Sequence, residues 1–83
     1  MIVRYPTFLN RQSSELTALG SAIKKRRLEK AMSQEHLALL AGVDRSYLVP
    51  VERGDNNAAA LMLIKIAAAL DMTLAQLAAE AQL

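Results

Sequence analysis

The side chains able to do chemistry in this chain are few in kind. Cysteine is absent and histidine occurs once, at His36, so neither a thiolate nor a histidine metal site can be assembled. No serine, histidine and carboxylate constellation supports nucleophilic catalysis. Glu35 and His36 do not open an HExxH motif, because Leu40 stands where the second histidine belongs. The expectation is a protein that is not an enzyme and uses no cofactor. What remains is cationic hydrogen bonding, unevenly spread. Up to Gly54 nine Lys and Arg face five Asp and Glu, a balance of +4; beyond it one Lys faces three acids, a balance of −2. The first part suits a polyanion and the second does not.

The cationic part contains a 20-residue unit, Gln34 to Arg53. Leu37, Ala41, Val43, Leu48 and Val51 are apolar, Ala38 is small where two helices must approach, and Gly42 sits where a sharp turn needs positive φ. This spacing is a helix-turn-helix pattern. Its physical purpose is to stand the second helix off the first at a steep angle, so that N-terminal side chains reach a major groove.

The rest of the chain must hold that unit in place. With 83 residues, 53% apolar and 22% charged, it is one small folded domain. A domain of this size buries only ~60% of its unfolded surface. Without disulfides or metal to help, self-association is the expected stabiliser, and a homodimer is anticipated. Residues 1–12 contain Pro6 and no period, and read as an N-terminal arm ahead of a domain over residues 13–83. A first helix starts at Ser13 or Ser14, repeats Leu16, Leu19 and Ile23 at helical spacing, and runs to about Ala31. Arg27 falls on that same stripe. A buried arginine needs a carboxylate partner.

Ser33 caps a second helix with Leu37, Leu40 and Ala41 facing inward, stopped by Gly42. Asp44 caps a third, through Leu48 and Val51 to about Arg53 and Gly54. A fourth runs from Ala58 or Ala59 to Leu70, capped by loop asparagines, and Thr73 with Gln76 forms a capping box for a fifth. The fold class is therefore all-α, with five helices. The apolar stretch from Ala58 to Leu70 is broken by Lys65 and falls short of the ~20 residues that span a bilayer. Together with the missing cysteines and the lack of a signal-like start, this leads to the expectation of a cytoplasmic protein without a membrane partner.

From about Leu19 to Leu77 the chain resembles the Cro/C1-type (XRE family) helix-turn-helix regulators, in the order KKRRLEK, SQEHLALLAGVDRSYL, VERG and IAAALDMTLAQL. Within the family it is similar to the small restriction-modification controller proteins in RSYL, VERGD and KIAAAL. The resemblance implies a five-helix lambda-repressor-like domain that binds double-stranded operator DNA as a homodimer and regulates transcription. It implies that Arg27 and Glu52 form a structural ion pair, and that Gln34 holds a phosphate at a helix N-terminus. Arg45 and Ser46 match positions that read base edges, an arginine there suiting guanine. Tyr47 either packs beneath the helix or touches a phosphate, and Arg53, Asn56 and Asn57 flank the backbone.

Pro50 departs from the family pattern, where a polar DNA-contacting side chain is common. It cannot donate to the carbonyl of Ser46. With Val49 it either bends the helix or offers an apolar face to thymine methyl groups; the opposite reading is that base reading is weakened. Asn56 and Ala59 depart as well, standing where a basic residue and a cap are common. Leu61, Met62 and the last helix are the candidate dimer surface. A rival reading is an antitoxin-like protein-interaction module, with the arm and Pro50 serving a protein partner.

Overall fold

The computed structural model describes residues 14–55 and 58–83. The arm expected over residues 1–12, the alternative cap Ser13, and both Asn56 and Asn57 lie outside the described residues. Five helices form among the described residues, and no strand: α1 (Ser14–Glu29), α2 (Gln34–Ala41), α3 (Arg45–Arg53), α4 (Ala60–Ala69) and α5 (Leu74–Glu80). No single helix is long and apolar enough to cross a membrane.

Every helix contributes a fully buried side chain to one core: Ile23 from α1, Leu37 from α2, Leu48 from α3, Ile66 from α4 and Leu77 from α5, with Leu70 closing α4. Each such burial removes enough apolar surface from water to be worth ~1.5–3 kcal/mol. α1 packs on α3 and α5, α2 on α3 and α4, and α4 on α5. The buried stripe of α1 is Gly20, Ile23 and Arg27, with Ala22 beside it; Leu16 and Leu19 are only half-buried.

Gly20 has a role that hydrophobic periodicity does not expose. A Cβ on it would stand 2.5 Å from the backbone carbonyl oxygens of both Val51 and Glu52. At Gly54 a Cβ would stand 2.7 Å from the Cα of Thr17. α1 thus lies directly against the C-terminal end of α3, and two missing side chains permit it. The nearest colliding atoms at both glycines are backbone, so moving a flexible side chain aside would not make room.

All five helices end in the same way. The chain turns into the left-handed region and sends two N–H groups back to the last turn, the Schellman arrangement. At α1 the N–H of Ala31 donates to Leu28 (3.0 Å) and that of Met32 to Arg27 (3.0 Å). α2 and α3 close on Gly42 (φ +71°) and Gly54 (φ +77°). α1, α4 and α5 close instead on Ala31 (φ 55°), Asp71 (φ 60°) and Gln82 (φ 62°). The expected end of α1 near Ala31 is accordingly shortened to Glu29, because Ala31 is the turn itself.

Two further expectations are corrected. Leu40 does not face inward: it is 57% exposed and Leu39 is 79% exposed, the buried face of α2 being Leu37, Ala38 and Ala41. The N-cap of α4 is Ala59, which has no side-chain acceptor, rather than a loop asparagine. The phenol oxygen of Tyr47 accepts the Ala59 N–H instead, at 3.3 Å. The Thr73 capping box is present with both bonds, Gln76 N–H to Thr73 at 3.0 Å and Thr73 N–H to Gln76 at 2.9 Å.

The ends of α1 and α4 are clasped together. Lys30 Nζ meets Asp71 Oδ2 at 2.6 Å, and Arg26 Nε donates to the Leu70 carbonyl at 3.4 Å. The hydrogen bond from Lys30, and then its charge, hold the Asp71 carboxyl below the usual carboxylate range. Both groups reach solvent, so the clasp sets register more than stability.

Two substitutions separate close approach from turn strain. Gly20→Ala is expected to destabilise by about 3 kcal/mol, at the upper end for overpacking. Ala31→Gly is expected to stabilise by about 0.5–1 kcal/mol, since it relieves a left-handed alanine at the expense of a more disordered unfolded chain. Urea midpoints at unchanged slope are the check.

Candidate nucleic-acid interface

The helix pair α2 and α3 is joined by three residues, and each end of the joint is fixed. Ser33 receives the His36 N–H at 3.0 Å, which starts α2. Gly42 stops it, and a Cβ there would meet nothing within 4 Å, so only its positive φ calls for glycine. Asp44 then caps α3 by accepting the Ser46 N–H at 2.8 Å. The same oxygen accepts the Ser46 hydroxyl at 2.6 Å. These two bonds, the hydroxyl first, hold the Asp44 carboxyl below the usual carboxylate range, so it is ionised near neutrality.

α3 buries Leu48, Val51 and Glu52 and turns its other face outward. Arg45, Ser46 and Arg53 are exposed, and Val49 and Pro50 are half-buried between them. These five residues and Asp44 line one shallow concavity of about 570 Å³. The structure therefore brings together all four expected base-contacting residues, Arg45, Ser46, Val49 and Pro50, on one face. α3 continues as helix through Pro50 to Arg53. Arg53 also pairs with Asp55, Nε to Oδ2 at 2.9 Å.

A second concavity of about 440 Å³ lies beside the first, lined by Arg27, Ser33, Gln34, Glu35 and Arg45. Arg45 borders both. The side-chain amide of Gln34 donates to Glu52 Oε1 at 3.1 Å, so one of its hydrogens is engaged inside the protein. The start of α2 still presents backbone N–H groups at the positive end of a helix dipole. Tyr47 is half-buried against the core and its hydroxyl accepts from Ala59, which leaves the hydroxyl hydrogen for an outside acceptor.

Behind this face lies the ion pair that Arg27 demanded. Arg27 Nε and Nη2 donate to Glu52 Oε2 and Oε1 at 2.7 and 3.0 Å, a bidentate pair. Arg27 Nη1 donates to the Met32 carbonyl at 2.8 Å. The two side chains are 9% and 3% exposed. Gln34 completes the coordination of Glu52, and no described buried side-chain N or O atom is without a hydrogen-bond partner.

Sequence reasoning did not find Gly20, the clasp of Lys30 with Asp71, or the second bond to Asp44. The only signal for that last bond was an Asp followed two residues later by a Ser, common to many caps.

A recognition helix with an exposed cationic face, locked by a buried ion pair and joined by a three-residue turn to its supporting helix, defines a helix-turn-helix DNA-binding transcription regulator. The helix-turn-helix family model matches residues 23–81. Control protein C.MunI of Mycoplasma sp. is 41% identical over 59 residues, covering 70% of this chain and 80% of that protein. The crystal structure of the restriction-modification controller protein C.AhdI of Aeromonas hydrophila superposes with a TM-score of 0.75 at 40% identity, covering 78% of this chain and 98% of that one. The controller C.Esp1396I, solved as a tetramer on its natural 35 base-pair operator, matches with a TM-score of 0.74 at 33% identity, over 87% of this chain and 100% of that one. This chain belongs to the helix-turn-helix family of XRE type, and is similar to its restriction-modification controllers.

Removing one partner of the Arg27 and Glu52 pair leaves an uncompensated buried charge. Arg27→Met or Glu52→Leu alone is expected to lose ~3–5 kcal/mol, and the double variant to regain most of it. Thermal or urea unfolding of the three proteins measures this, and a double variant as unstable as the sum of the singles would contradict it.

Proposed function

We propose that this chain is a sequence-specific transcriptional regulator of restriction-modification genes that binds a palindromic operator as a homodimer through the major groove. The observation that carries the reading is the outward face of α3: Arg45, Ser46, Val49, Pro50 and Arg53 line one concavity. Arg45 supplies two parallel donors suited to guanine O6 and N7. Val49 and Pro50 offer apolar contact to thymine methyl groups. Gln34, Tyr47 and Arg53, with Asn56 and Asn57, position the helix on phosphates, which contribute much of the affinity and make it salt-dependent. A DNA-binding role of this kind fits a cytoplasmic protein, and no single helix among the described residues is long and apolar enough to cross a membrane.

Continuity of α3 through Pro50 favours groove reading over the rival protein-interaction role, since the reading face is intact as a helix. Two copies would set recognition helices about 34 Å apart, one turn of DNA. For the dimer surface the structure supports Leu61, 60% exposed on α4, together with Ile64, 47% exposed one turn on. Met62, the other residue first singled out, is half-buried and therefore less available.

Selection from random duplex DNA at physiological salt is expected to enrich a palindrome, and Arg45→Ala to lose preference at one guanine per half-site. Enrichment of nothing, with a stoichiometric protein partner co-purifying, would favour the rival. Leu61→Asp is expected to sediment at half the wild-type mass and to bind a full operator more weakly; unchanged mass would remove α4 from the interface.

A further inference from the structure

We propose that Asp44 fixes the polarity of the Ser46 hydroxyl, so that Ser46 presents only an acceptor to the major groove and selects a base amino group, adenine N6 or cytosine N4. The inference rests on the DNA-binding reading above and adds to it which chemistry one base position must carry.

A serine hydroxyl has one hydrogen and two acceptor lone pairs, and when it rotates freely it serves either kind of base edge. Ser46 is not free to rotate. Its Oγ lies 2.6 Å from Asp44 Oδ1, and that same oxygen receives the Ser46 backbone N–H at 2.8 Å. An ionised carboxylate can only accept, so the hydrogen between the two oxygens belongs to the serine. The short separation is that of a charge-assisted bond, about twice as strong as a neutral one. The carboxylate state is itself favoured by these two bonds.

What Ser46 has left to offer is its lone pairs, on a side chain exposed beside Arg45 in the same concavity. In the major groove only the amino groups of adenine and cytosine donate; guanine O6 and N7 and thymine O4 accept. A donor fork at Arg45 and an acceptor at Ser46 therefore stand side by side at the start of α3. Asp44 is a positioning residue here, acting through Ser46 rather than touching the base.

The test uses the full chain and the operator recovered by selection. The position read by Ser46 is located as the one whose preference flattens in Ser46→Ala, and the four base pairs are compared there by titration. Wild type is expected to favour adenine or cytosine over guanine and thymine by about three- to ten-fold, the worth of one hydrogen bond. Asp44→Gly, which keeps an acceptable helix N-cap, is expected to erase that preference while the guanine preference at the Arg45 position persists. A keto base preferred by wild type would overturn the inference, as would an amino preference unchanged in Asp44→Gly. The wild-type comparison stands even if that variant does not fold. Failure of the selection to enrich any sequence would overturn the DNA reading and the inference together, whereas an enriched operator without the amino preference overturns the inference alone.

Discussion

The orientation of α3 depends on one buried ion pair. Arg27 reaches from α1 with three nitrogens engaged, two on Glu52 and one on the carbonyl of Met32, and so ties together the first helix, the turn after it and the recognition helix. Such a pair adds little net stability compared with well-packed apolar residues, because desolvating both charges offsets much of their attraction. Its directional value is greater. Bidentate geometry tolerates only one placement of the carboxylate, and Glu52 sits one residue from the end of α3. Gln34 extends the same constraint to the start of α2. Both helices of the DNA-binding unit are thus referenced to one guanidinium.

The pair forms where α1 and α3 approach closely. Gly20 and Gly54 bring the α1 backbone into direct contact with the end of α3, which shortens the reach required of Arg27. The positive φ at Gly42 and Gly54 then closes the two helices of the unit in the fewest residues. Outside the unit the same closure is made with Ala31, Asp71 and Gln82, which carry a steric cost that glycine avoids. The glycine-closed turns are the ones that bound α2 and α3, where the placement of the reading face is decided.

Much of this was legible in the chain before its coordinates. Arg27 on an apolar stripe demanded a carboxylate, the interval from Gln34 to Arg53 carried the turn and its glycine, and Thr73 with Gln76 announced α5. These are local signals, set by spacing within one element or across a short turn. Gly20 was not legible because its neighbours lie on α3, more than thirty positions away, and a missing side chain leaves no trace in periodicity. Leu40 was misplaced because five apolar residues in a row, Leu37 to Ala41, fit more than one helical face; with α3 and α4 packed on α2, the buried face is Leu37, Ala38 and Ala41. The cap of α4 was missed for a similar reason, since the acceptor comes from Tyr47, twelve residues upstream.

Pro50 gains its meaning from the way α3 is closed. Proline lacks an N–H but keeps its carbonyl, and that carbonyl accepts the Asp55 N–H at 3.0 Å in the turn that ends the helix. The ring therefore interrupts one bond, to Ser46, while taking part in the closure that sets the C-terminal end of α3. It also removes any polar reading group from the middle of the helix. In the proposed reading, base discrimination by hydrogen bonding falls to the first turn, where Arg45 and Ser46 stand on a helix start organised by Asp44. If these two are the only polar readers, the direction in which each can hydrogen-bond would carry more of the specificity than on a helix with a full set. On that reading the short bond from Ser46 to Asp44 would matter for recognition because Pro50 stands four residues away.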